Sequence, residues 1–427
     1  MQFSNKTAIS KWHFLYKTAI FIVQFFYLCI PNHNETAMNT LIDKFQMKLD
    51  ETATNYVRRI HDEIAWNDRL VSIVGARGVG KSTVVLQHIK LHEDVNTSLY
   101  VSADDLWFSQ HSLVELAETF FKNGGKALYI DEIHKYKNWA QEIKNIYDTY
   151  SRLRVVYTGS SILDLQRGGA DLSRRLLEYS MHGLSFREYL AISKGLEIPV
   201  HTLKQVLAND IEFPFKEHRP IALFKEYLKK GYYPYFNEQN YYLRLSKVIN
   251  RVVENDIPNY AEISATTAAK LKKLLYIIAQ SVPFKPNFSK IGRDLDINRN
   301  AVSDLMIWLD KAELINILRD DTQGISSLGK VDKVYLANPN IAYAISDSEP
   351  EVGNIRETIF LALLKATHAI TSSSAADFKV GKYTFEVGGK NKKHKQIQGI
   401  PNAYIVKDDI EHGYKNEIPL WAFGLMY

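Results

Sequence analysis

The sequence predicts an α/β protein with a parallel-sheet core built around a phosphate-binding loop, and three observations predict it. Residues Gly75-Ala76-Arg77-Gly78-Val79-Gly80-Lys81-Ser82-Thr83 fit the pattern GxxxxGK[ST]. They lie between Leu70-Val-Ser-Ile-Val74, an apolar run suited to a buried parallel strand, and a segment in which Val84, Val85, His88 and Leu91 recur at helical spacing. Farther on, Lys126-Ala-Leu-Tyr-Ile130 is another apolar run, and it ends in the paired carboxylates Asp131 and Glu132.

Each part of the loop has a physical task. A strand that turns into a helix through glycines lets successive backbone N–H groups and the helix N-terminus converge on an anion. Gly75, Gly78 and Gly80 let phosphates approach the backbone, Lys81 neutralises the β- and γ-oxygens, and the Ser82 hydroxyl completes the coordination of Mg²⁺. The expected ligand is ATP with Mg²⁺. At the carboxyl end of its strand Asp131 reaches the same metal, while Glu132 orients or polarises the attacking water.

A length of 427 residues implies roughly two to four domains. Lys plus Arg outnumber Asp plus Glu by 53 to 48, and the resulting charge of +5 does not announce a nucleic-acid binder. The single cysteine, Cys29, excludes an intrachain disulfide framework and Cys-based metal clusters, which agrees with a cytoplasmic location. Residues 14–30 are apolar apart from Lys17 and follow Lys6 and Lys11, as in a signal peptide or short anchor. No small-x-small cleavage site follows, Leu28 stands where a lipoprotein signal needs a small residue, and the basic flank would carry the rest of the chain across a membrane, away from ATP. Residues 1–37 are therefore expected to lie upstream of a start at Met38, with no membrane association. A true anchor is the alternative.

In chain order, apolar residues between Leu41 and Trp66 predict a helix packed on the nucleotide domain. Ser98-Leu-Tyr-Val-Ser102 is the next strand, followed by a helix around residues 113–121 that Gly124-Gly125 closes. After the Asp131-Glu132 strand and a helix around 139–150, Leu153-Arg-Val-Val-Tyr157 forms a strand ending in Thr158-Gly-Ser160-Ser161. Either Thr158 or Ser160 is expected to sense the γ-phosphate there. The loop from Arg167 to Arg175 follows, and Arg174 or Arg175 is expected to stabilise charge on the transferring phosphoryl group, within the chain or across a subunit interface. Residues 176–182 then read as a strand.

Gly75–Thr83, residues 128–134 and 157–161, and above all Gly183-Leu-Ser-Phe-Arg-Glu-Tyr-Leu190 together resemble a prokaryotic group of AAA-type ATPases. In that group the core is joined to a C-terminal region of unassigned function, with a winged helix and a degenerate PD-(D/E)XK nuclease-like domain. The resemblance covers residues 38–427. It implies ATP binding and hydrolysis, and it divides the chain into an AAA-type core at 38–185, a helical lid and connector at 186–260, a winged helix at 261–348 and a small α/β nuclease-like domain at 349–427. In the lid, Pro199, Pro214 and Pro220 read as loop breaks, and Pro258 as the stop of a helix beginning near Leu245.

In the winged helix, helices at 267–280, 288–295 and 301–312 would be followed by wing strands at 314–318 and 333–336. Asn298, Arg299, Asn300 and Ser303 would face a major groove. Asp304, Asp310, Asp320 and Asp321 dilute the positive field DNA requires, so a protein partner is expected ahead of DNA. In the nuclease-like domain the resemblance assigns divalent-metal binding to Asp377 and Glu386, with Glu357 on the preceding helix. Its lysine belongs two residues after the glutamate, where this chain has Gly388. Lys390 is the nearest, so no DNA cleavage is expected, and Lys392, Lys393 and Lys395 offer at most a phosphate contact.

The expected function is an ATPase, homo-oligomeric if the arginine acts in trans, that turns nucleotide state into a change of position between core and C-terminal domains. The alternatives are an ATP-regulated DNA-binding or DNA-cleaving protein and a slow nucleotide-gated switch.

Overall fold

A computed structural model describes residues 33–159, 172, 174–281, 283–320, 331–346 and 349–427. The apolar segment 14–30, Ser160, Arg167 and Asp321 lie outside the described residues. Five strands, β1 (Leu70–Val74), β2 (Ser98–Ser102), β3 (Ala127–Asp131), β4 (Arg154–Gly159) and β5 (Leu177–Ser180), form one sheet in the order β2-β3-β4-β1-β5. Every pairing in it is parallel. Helices cover both faces, so β1 and β3 are buried at each position, as their unbroken apolar runs require. This order sets β4 between β1, which leads into the glycine loop, and β3, which ends in Asp131.

Before the sheet, the helix His33–Glu51 stops short of the expected length. Thr52, Thr54 and Asn55 compete poorly as helix formers, and side chains of the helix Lys81–His92 satisfy the backbone instead. Gln87 Nε2 donates to the carbonyls of Ala53 and Tyr56 at 2.8 and 2.9 Å, and Lys90 Nζ to those of Leu49 and Thr52 at 2.8 and 2.9 Å.

The lid starts with the helix Phe186–Lys194. Pro220 does not break structure there; it occupies the first turn of the helix Pro220–Lys230, where a missing N–H costs nothing. Nor does Pro258 stop the next helix. Tyr241–Arg251 passes through a π-helical turn, Val252–Asp256, into Ile257–Ala261, and the wider turn shifts the register that proline would otherwise violate.

Helices Ala265–Gln280, Phe288–Leu295 and Arg299–Lys311 then precede the antiparallel strands β6 (Ile315–Arg319) and β7 (Val331–Leu336). After the helix Val352–Lys365 comes a second sheet of β8 (Thr371–Ser372), β9 (Phe378–Val380), β10 (Tyr383–Gly388), β11 (Ala403–Lys407) and β12 (Glu417–Pro419), ordered β12-β11-β10-β9-β8. Its β10, β11 and β12 run parallel, while β8 and β9 pair antiparallel. The turn Leu420–Leu425 returns to the lid, where a Cβ on Gly424 would lie 2.5 Å from Phe186 Cβ. One continuous apolar core therefore runs from Met38 to Met426. Among the described residues no helix is long and apolar enough to cross a membrane.

Candidate functional site

The loop between β1 and the helix Lys81–His92 has the strained backbone that its glycines permit. Gly78 and Gly80 take φ of 85° and 98°, and a Cβ on Gly75 would strike the Met181 carbonyl oxygen at 2.2 Å. Lys81 is buried, and its Nζ donates to the carbonyls of Gly75 and Ala76, at 2.8 Å each. Burial pulls this ammonium down to a pKa of about 8, against the attraction of Glu132, Glu313 and Asp131. Ser82 is half-buried and Thr83 exposed at the helix start, while Val79 is buried beneath the loop.

Asp131, at the end of β3, accepts a hydrogen bond from the Tyr100 hydroxyl at 2.7 Å and another from the Thr158 hydroxyl. The Thr158 oxygen in turn accepts from the Glu132 N–H at 3.3 Å. Tyr100 also lies beside Ser82, and burial followed by Asp131 raises its phenol well above the usual range. Ser82, Tyr100, Asp131 and Thr158 thus form a single polar group at the carboxyl edge of the sheet. Of the two residues expected to sense the γ-phosphate, Ser160 lies outside the described residues, and Thr158 gives its hydroxyl to Asp131, β4 lying between the metal-site strand and the loop strand.

Glu132 adopts a left-handed backbone, φ 53°, rare for a glutamate and typical of functional turns. Its Oε2 lies 3.8 Å from Arg77 Nη1 and 3.6 Å from His134 Nε2. Burial, and then Lys135, lower His134 to about 3, so its imidazole is neutral at physiological pH. Asp256, in the π-helical turn, is 3% exposed and pairs with Arg77 at 3.3 Å and Lys135 at 3.0 Å. Glu313, from the turn after the helix Arg299–Lys311, accepts from the Ala76 N–H at 2.7 Å. Sequence reasoning missed Asp256 and Glu313 because long-range docking, not spacing, brings them to the loop.

The two expected arginines are elsewhere. Arg174 is exposed, and Arg175 pairs with Asp148 at 3.0 Å. Both precede β5, whose Leu177 is level with Val71 near the amino end of β1, whereas the glycine loop leaves from its carboxyl end. They cannot serve the phosphates of their own chain in this arrangement.

The phrase Leu184-Ser-Phe-Arg-Glu-Tyr189 has a structural task. Ser185 and Glu188 form a reciprocal helix cap, and the Ser185 hydroxyl donates to the Tyr427 carbonyl at 2.5 Å. Glu188 also holds Arg58, another residue without a sequence signal, whose Nη1 donates to the Val79 carbonyl inside the glycine loop at 3.0 Å.

A second polar centre lies in the C-terminal sheet. Lys333 Nζ is 3.2 Å from Asp377, and Tyr335 donates to Glu357 at 2.9 Å. Burial, and then Asp377, push Glu357 up to about 7. Lys390 is exposed in a turn, and Lys392, not Lys390, is the ammonium paired with Glu386. A Cβ on Gly388 would lie 2.7 Å from Lys392 Cγ, so the stem of Lys392 fills the space a side chain at 388 would take. The other Glu386 oxygen is buried without a hydrogen-bond partner. Among the described residues, no group of three His, Cys, Asp or Glu side chains could hold a metal ion.

Comparison with known proteins fits the first centre. Residues 67–190 match a family model described as an AAA domain. This part of the chain resembles an AAA-type P-loop domain. Residues 221–351 match a domain of unknown function, DUF8612, and so span the boundary expected at residue 260. The uncharacterized protein MJ1637 of Methanocaldococcus jannaschii is 28% identical over 275 residues, 60% of this chain and 58% of that protein. The chain thus spans little more than half the length of this curated relative. Among solved structures, the Walker-type ATPase paby2304 of Pyrococcus abyssi is 14% identical, with 68% of this chain and 95% of that chain covered and a TM-score of 0.43. The S. cerevisiae Hsp104–ADP complex is 16% identical over 63% of this chain and 41% of that chain, with a TM-score of 0.29.

The AAA-domain residues suit a Mg²⁺-triphosphate. The loop presents the Lys81 ammonium and the Ala76 N–H, which already binds a carboxylate, and Ser82 and Asp131 share one polar group.

Proposed function

We propose that the protein binds and hydrolyses ATP, and that nucleotide state changes how its C-terminal elements sit on the AAA domain. The observation that carries this is the connected set Ser82, Tyr100, Asp131, Thr158 and the Glu132 N–H, assembled from the helix after β1, the middle of β2 and the ends of β3 and β4. Ser82 and Asp131 would hold Mg²⁺, which would supply charge neutralisation at the phosphate oxygens. Lys81, retracted onto the loop carbonyls, turns its ammonium toward the β- and γ-oxygens. Glu132 orients the attacking water and takes its proton, with neutral His134 beside it and Arg77 holding its carboxylate at the mouth of the site. A charge from Arg174 would have to come from a second copy of the chain. Lys81→Ala tests the reading: it should abolish binding of ATP, and unchanged binding would reject the site.

The movement would pass through Asp256 and Glu313, which tie the connector and the C-terminal half to the loop. The three helices and β6–β7 have the order of a winged helix, and we read this unit as a protein-docking module. Asn298, expected to face DNA, caps its own helix by accepting from the Ala301 N–H at 2.8 Å, while Arg299 and Asn300 stay exposed.

A second reading, a DNA-cleaving C-terminal domain under ATP control, is favoured by one observation. Lys392 supplies beside Glu386 the ammonium that Gly388 cannot. The same ion pairs weigh against it, because Asp377 and Glu386 are already engaged by Lys333 and Lys392.

A further inference from the structure

The peptide joining Gly75 and Ala76 is gripped from both sides. Its carbonyl accepts from Lys81 Nζ at 2.8 Å and its N–H donates to Glu313 Oε2 at 2.7 Å. A carboxylate on a phosphate-loop amide is a negative oxygen at an anion-binding loop, and Glu313 is also near enough to Lys81 to favour its charged form. The residue that brings it there belongs to a segment more than two hundred positions away in sequence.

The backbone at Glu313 is strained. It ends the helix Arg299–Lys311 at φ 56°, in a turn closed by Glu313 N–H to Asp310 O and Leu314 N–H to Leu309 O, at 3.0 Å each. This is the left-handed position past a helix end that glycine ordinarily fills. A glutamate held there satisfies no need of the helix, and its side chain is used on the loop. Asp256 makes a second acidic contact with the same loop, through Arg77. Tyr235 and Pro234 pack over it as well; a Cβ on Gly78 would lie 3.0 Å from Tyr235 Cε1 and one on Gly80 3.4 Å from Pro234 Cγ.

We propose that Glu313 is a built-in competitor of the nucleotide: its carboxylate docks the C-terminal half onto the phosphate loop, and a triphosphate displaces it and releases that half. The inference rests on the ATP reading and names the contact through which nucleotide state is transmitted. ATP brings several negative oxygens and its own metal to a loop on which Glu313 spends one hydrogen bond, so nucleotide wins at saturation and the clamp closes again when phosphate leaves. The acidic side chain would repel the incoming phosphates wherever both remained near Lys81.

The test uses the full chain, a fluorescent ATP analogue with Mg²⁺, and the variants E313Q and E313G. E313Q keeps the shape and removes the charge, whereas E313G also relieves the left-handed backbone. Both should bind the analogue about tenfold more tightly, the scale of one charge-assisted hydrogen bond. Hydrogen exchange of residues 299–319 supplies the second readout. It should rise in the wild type on saturation with nucleotide, and it should already be raised in nucleotide-free E313Q. Unchanged affinity and unchanged exchange in E313Q, with Lys81→Ala abolishing binding, would overturn the clamp and leave the ATP site standing. Failure of wild type and E313Q alike to bind the analogue would overturn both.

Discussion

Arg58 and Glu188, 130 residues apart in the chain, meet in the interior with Nη2 2.7 Å from Oε2. The same guanidinium donates to the carbonyls of Val79, His182 and Gly183 at 3.0, 2.9 and 2.9 Å. The pair therefore ties the phosphate loop to the start of the lid. Burial opposes the charge on Arg58, and Glu188 more than restores it. Removing one partner leaves the other charge buried, so Glu188→Ala should cost about 3–5 kcal/mol in urea unfolding. It should also weaken nucleotide binding through Val79. A loss below 1 kcal/mol would show that the pair is not what holds the loop.

Tyr100 and Thr158 should act on the metal site without touching nucleotide. Tyr100→Phe removes one hydrogen bond to Asp131, worth about 1.5–3 kcal/mol to a charged acceptor, and Thr158→Val removes the other along with the support of the Glu132 N–H. Steady-state turnover should fall several-fold in each, with a higher Mg²⁺ requirement. Parent-like Mg²⁺ dependence in both would separate these hydroxyls from the reaction.

The pH dependence follows from Lys81. In the free protein its pKa is about 8, lowered by burial. Phosphates favour the ammonium, so binding raises that pKa and takes up a proton wherever the free side chain is neutral. Affinity should hold below about pH 8 and fall as pH rises through it, by up to tenfold per unit. Calorimetry at pH 9 in buffers of different ionisation heat should detect proton uptake; a flat affinity from pH 7 to 9.5 would contradict the burial of this lysine.

The C-terminal centre should not cleave supercoiled or linear DNA with Mg²⁺ or Mn²⁺, with or without ATP. The sequence argued this from Gly388, and the position of Lys392 removes that argument. What remains is that Glu357 is held near neutrality by burial and the other two carboxylates are ion-paired. Metal-dependent cleavage lost in both Glu386→Ala and Lys392→Ala would reverse the assignment.

The parts of the site set by local chemistry were legible in the sequence. Gly75–Ser82 and Asp131-Glu132 carry their geometry in residue type and spacing, because a glycine loop and a strand end are determined over a few positions. Strand β3 and the strands β6 and β7 after the helix Arg299–Lys311 fell close to their expected places for the same reason, as short apolar-rich segments bounded by turn residues. Arg58, Tyr100, Asp256 and Glu313 carry no such mark. Each is an ordinary charged or aromatic residue until folding sets it beside a loop encoded elsewhere, and Lys392 replaces a missing lysine only because the chain turns back over Gly388. The expected stop at Pro258 failed differently, since a π-helical turn absorbs the defect that a regular helix could not.

Glu132→Gln tests the central claim most directly. Equilibrium binding of ATP with Mg²⁺ and steady-state phosphate release should be measured on this variant and the parent under the same conditions. The account predicts parent-like binding with phosphate release reduced by two orders of magnitude or more, about the contribution of a positioned general base. Phosphate release at the parent rate, with binding intact, would contradict it.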